Sequence, residues 1–66
     1  MTTDFLTRLH DERGQLAMRV EKLKKFTTGE TFAALDYDRQ RLLKVQLTLM
    51  QAYLSVLHDR IELEQQ

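Results

Sequence analysis

From Leu43 to Ile61 apolar residues recur at alternating steps of four and three, namely Leu43, Leu47, Met50, Leu54, Leu57 and Ile61. That spacing is the seam of a helix packed lengthwise against another. A second apolar stripe, Leu42, Leu49, Val56 and Leu63, with Tyr53 among them, repeats every seven residues on the same segment. At about 100° per residue the second stripe lies roughly 80–160° round the helix from the first. One short neighbouring helix cannot cover both. The expected fold is therefore all-α: an antiparallel helical hairpin with a short helical turn at its bend, assembling into an oligomeric helix bundle. One seam is buried within the chain, and the other, comprising Leu42, Gln46, Leu49, Tyr53, Val56 and Leu63, is the candidate oligomer interface.

With 66 residues the chain makes one domain, at a size where a single core often needs disulfides, metal or oligomerisation as support. It has no cysteine, which removes disulfides and thiolate metal sites and leaves the redox compartment open. Ten basic and ten acidic side chains cancel, which argues against a nucleic-acid coat driven by counterion release. No apolar run approaches the roughly 18–20 residues of a membrane span. The start, Met1-Thr2-Thr3-Asp4, lacks the basic region and apolar block of a signal peptide. The expectation is a soluble, intracellular protein.

The first helix is expected over about residues 4–26, with Thr2, Thr3 and Asp4 offering oxygen acceptors to its open amides. Its seam is Phe5, Leu9, Leu16, Val20 and Leu23. The register wants an apolar residue at Glu12 or Arg13, and Gly14 follows at once, at a cost of about 1 kcal/mol against alanine. The helix should be weakest there. Thr27-Thr28-Gly29-Glu30 breaks the pattern, with Gly29 suited to a left-handed cap. Thr31 to Leu35 predicts one helical turn, with Phe32 and Leu35 tucked under the bend. The bend thus occupies residues 27–36, Asp36 caps the second helix, and that helix runs over about residues 37–64, with Asp38 favourable in its first turn.

Two helices so joined lie antiparallel, which makes the hairpin a charge dipole despite its zero net charge. From Arg19 to Lys44 there are seven basic and four acidic residues, against three basic and six acidic in the rest. Arg19, Lys22, Lys24, Lys25, Arg39, Arg41 and Lys44 form the candidate anion site, completed by the hydroxyls of Thr27 and Thr28 and by open amides near Gly29. An oligomer would bring several such ends together. The competing reading is a solvated face whose cations merely complement the first helix's dipole.

Other chemistry is poorly supported. His10-Asp11-Glu12, His58-Asp59 and the pair His58 with Glu62 contain metal-ligand types, yet a bundle metal site needs three or more inward ligands, and the Glu-x-x-His spacing of di-iron bundles is absent. Ser55 is the only serine and lies among polar helix positions. With no nucleophile, base and cleft evident, the expectation is a non-enzyme without cofactor or metal. Gln46 and Tyr53, at the edge between the two stripes, suit structural roles: fixing register, or burying a ring while its hydroxyl finds a partner.

The run Leu6 to Phe26, with Arg8-Leu9, Glu12, Leu16, Lys22-Leu23 and Phe26, followed by Leu42-Leu43, Gln46, Met50, Tyr53-Leu54, Leu57 and Arg60, resembles the small proteins of tailed phages named after a crAss-like phage reading frame. These are helix-core positions, and the family brings no catalytic residues. The resemblance implies a phage accessory protein acting in the host cell cytoplasm by binding. Its expected role is to counteract a host defence component or sequester that component's nucleotide signal. Helical-hairpin phage proteins of unrelated sequence sequester cyclic-nucleotide signals, an analogy of architecture only. Two alternatives stand beside it: a Rop-like RNA-binding hairpin dimer, which needs a basic stripe along the bundle rather than at one end, and a structural or assembly protein, which should be found in purified virions.

Overall fold

A computed structural model describes residues 2–66, the side chains of residues 2 and 3 excepted. The side-chain capping roles expected of Thr2 and Thr3 lie outside what is described. Three helices follow one another: α1 (Thr2–Phe26), α2 (Glu30–Ala33) and α3 (Tyr37–Glu64). The two long helices pack against each other as an antiparallel hairpin, a rod 48 Å long and 14 Å across. No helix among the described residues is long and apolar enough to cross a membrane.

The seam between α1 and α3 follows the heptad spacing. Leu9, Leu16 and Val20 of α1 are buried with Leu57 and Ile61 of α3, and Leu6, Leu47, Met50 and Leu54 pack against them half-buried. Leu57 is the centre of this core, with no exposed surface. At the N-terminal end Leu6, rather than Phe5, enters the cluster. Phe5 stays partly exposed and carries the Arg60 guanidinium over its ring, 6.0 Å from the centroid, a cation–π contact that shields one ring face.

The bend departs from two expectations. Gly29 is not a left-handed cap: its φ is −97°, it precedes α2 in an extended conformation, and no described residue has positive φ. The end of α1 is closed instead by the two threonines, whose hydroxyls donate to the carbonyls of Lys24 and Lys25 at 2.7 and 2.8 Å. Those carbonyls are the groups a left-handed cap would have served. Asp36 does occupy the residue before α3, but its carboxylate makes no capping hydrogen bond. It accepts from the Arg39 guanidinium at 2.8 Å, and that cation holds its carboxyl below the ordinary carboxylate range.

Below the bend, Phe32 is buried as expected, and its neighbour is Phe26, edge-on with ring centroids 6.2 Å apart. Leu35 beside it is half-buried. Gln40 locks this turn to α3: its side-chain amide donates to the carbonyls of Phe32 and Leu35 at 3.0 Å and of Ala33 at 3.3 Å. The Phe32 carbonyl also accepts from the Leu35 amide at 3.0 Å, and Gln40 adds partners for the Ala33 and Leu35 carbonyls just past the end of the four-residue helix.

Candidate functional site

The seven basic residues do not form one cluster. Arg41 and Lys44 share a groove along the first turns of α3 with Tyr37, Val45, Thr48 and Leu49. Arg19 and Lys22 line another, between the helices, with Leu23, Phe26, Gln46 and Met50. Arg39 is held by Asp36, Lys24 lies 3.8 Å from Glu21, and Lys25 stands in the last turn of α1.

Around Gly29 the loop residues turn their donors back onto α1. The amides of Thr27, Thr28 and Gly29 donate to the carbonyls of Leu23, Lys25 and Phe26 at 3.0, 3.1 and 3.1 Å, and both threonine hydroxyls are spent on α1. What remains beside Gly29 is the first turn of α2, whose Glu30, Thr31 and Phe32 amides these bonds do not use.

The groove on α3 has more to offer. Tyr37 presents a ring that is 75% exposed, an open plate on which a flat ligand can stack. Val45 and Leu49 supply an apolar floor, and Arg41 and Lys44 add two cations in a space of about 380 Å³. Lys44 is held in place, its Nζ 5.8 Å above the Phe32 ring. The Thr48 hydroxyl donates to the Lys44 carbonyl, so it can still accept. An aromatic plate, an apolar floor and two cations together suit a ligand carrying both a ring and a phosphate.

The candidate interface residues lie on the open side of α3. Leu42, Gln46, Leu49 and Tyr53 border one apolar depression with Val45 and Met50, while Val56 and Leu63 continue the stripe beyond it, both more than half exposed. The Gln46 side-chain amide lies 3.8 Å from the Met50 sulfur on its own helix. Tyr53 spans the hairpin: its hydroxyl donates to the Glu12 carboxylate, which pushes the Tyr53 pKa above its ordinary value. Glu12 is the residue that interrupts the α1 seam, so the gap is bridged by a polar contact.

Two contributors escaped the sequence reading. Val45 lies four residues before Leu49 and so shares its face, a spacing that a strict seven-residue count passes over. Tyr37 has no such signal, since its role depends on how the bend delivers the start of α3.

Ser55 and His58 border a further groove with Arg13, Ala17, Gln51 and Leu54. The His58 Nε2 lies 3.6 Å from the Glu62 carboxylate, and His10 faces the Gln65 side chain at 3.5 Å. Among the described residues no group of three or more metal-ligand side chains gathers.

Against known proteins, the family model described as Sequestin matches residues 3–63, and this span contains every helix-core position on which the phage resemblance rests. No curated protein matches the chain, and no solved structure does.

Proposed function

Because the chain belongs to the Sequestin family, we propose that it acts without catalysis, by binding a small phosphate-bearing signal nucleotide and withdrawing it from a host defence pathway. It does so as a phage accessory protein in the host cytoplasm, and as a homo-oligomer assembled through the exposed stripe of α3. The observation that carries this reading is the groove on α3, where Tyr37, Arg41 and Lys44 meet over Val45 and Leu49. The family's name, which speaks of sequestration, supports the same mode of action. A sequestering protein needs only affinity and abundance, and a stacking ring with two cations meets the first need.

The test is a calorimetric titration against cyclic dinucleotides, cyclic trinucleotides and ADP-ribose derivatives. Binding by one of these classes is expected, weakening as salt rises because the cations act on phosphate through water. Arg41→Glu should lower affinity by at least about tenfold, the loss of roughly one charge-assisted hydrogen bond. No heat with any class would overturn the nucleotide reading. The second reading, a host protein docking on the apolar stripe, is favoured by Leu49 and Leu63, which are 65% and 69% exposed. Soluble proteins rarely leave so long an apolar stripe bare.

A further inference from the structure

The stripe on α3 is self-complementary when read backwards. Leu42, Leu49, Val56 and Leu63 are evenly spaced, so a two-fold axis between Ala52 and Tyr53 sets Leu49 of one copy beside Val56 of the other, and Leu42 beside Leu63. Charge obeys the same symmetry. From Val45 to His58 α3 carries no Asp, Glu, Lys or Arg; before that stretch stand Asp38, Arg39, Arg41 and Lys44, net +2 (three basic less one acidic), and after it Asp59, Arg60, Glu62 and Glu64, net −2 (one basic less three acidic).

We infer that the second copy docks antiparallel on α3 in this register, which rests on the self-association proposed above and specifies it. A parallel pair would align Arg41 with Arg41 and Glu62 with Glu62, stacking like charges at both ends. The antiparallel pair brings Arg41 of one copy within a helical turn of Glu62 of the other, twice by symmetry. Ala52, the smallest side chain of the uncharged stretch, lies beside the axis and lets the two backbones approach. The Arg60 guanidinium, which would otherwise intrude on the stripe, is drawn to Phe5. The two bends then sit at opposite ends of the dimer, so the basic ends do not converge. Each α3 groove then lies at the rim of the interface and shares Leu49 and Arg41 with it, so the second copy walls one side of a ligand site present once per chain.

The chain has no native cysteine, which makes cross-linking selective. Leu49→Cys and Val56→Cys are prepared separately and oxidised alone and as a mixture. Facing residues fall within disulfide reach, whereas residues offset by a heptad are about 10.5 Å apart along the axis and do not. The expected result is a covalent dimer from the mixture and little from either variant alone. Cross-linking of each variant with itself would overturn the register while leaving self-association intact. A monomeric mass for the unmodified chain would overturn both. A second measurement does not depend on how the cysteine variants fold: Arg41→Glu and Glu62→Arg should each raise the dimer dissociation constant about tenfold, because two pairs are lost at once, and the double variant should recover it. Failure of the double variant to recover the dimer would overturn the proposed pairing.

Discussion

Tyr53 and Glu12 meet where the α1 seam lacks an apolar residue, and their hydrogen bond makes a pH prediction with a definite sign. Because the Tyr53 pKa is raised in the folded chain, its contribution is present below the ordinary tyrosine value and is lost as pH climbs through the raised one. Thermal melts should place the wild type above Tyr53→Phe at neutral pH, and the gap should close above about pH 10. An equal gap at both ends of the range would mean that the hydroxyl does not stabilise through its proton. Asp36 has the opposite sign: its lowered pKa gives a contribution present at neutral pH and lost as pH falls below the carboxylate range. In the core, Leu57 has no exposed surface, and Leu57→Ala should destabilise by about 2–5 kcal/mol. That is enough to unfold much of so small a protein, and chemical denaturation measures it.

At the scale of the helices, Gly14 is the plainest test of where α1 is weak. It lies mid-helix in α1, and nothing stands within 4 Å of where a Cβ would project. Gly14→Ala should therefore stabilise by about 1 kcal/mol, read as a rise of several degrees in melting temperature. A fall would mean an unseen neighbour at that face. The hairpin itself was legible because heptad spacing at Leu43 to Ile61 is a local statement about which side of a helix must be dry. The bend was less so. Glycine after a helix favours a left-handed cap on average, but Thr27 and Thr28 hydroxyls took the carbonyls first, and Gly29 was left extended. Gln40's closure of the bend could not be read at all, since its partners are backbone carbonyls of residues whose positions depend on that same bend. The candidate site was legible only in part, for the reason that clustering along the chain is not clustering in space: α-helical geometry sends Arg41 and Lys44 to one face and Arg19 and Lys22 to another. Phe5 shows the same limit within the seam, since the register admits it and the packing prefers Leu6.

For the whole molecule, a hairpin with a single buried seam gains stability by covering its second one. Melting temperature should therefore rise with protein concentration, as mass action requires for a folded oligomer. Leu49→Lys should abolish that dependence, since it buries an unpaired charge in the interface at a cost of several kcal/mol; a variant that kept its mass and its melting curve would remove the stripe from the interface. The central claim, binding by an assembled protein, is tested most directly by native mass spectrometry of freshly purified protein titrated with cyclic nucleotides and ADP-ribose derivatives. The account predicts an oligomer, a multiple of the 7.9 kDa chain, that gains one ligand mass per chain. A bare single-chain mass with every ligand would contradict it.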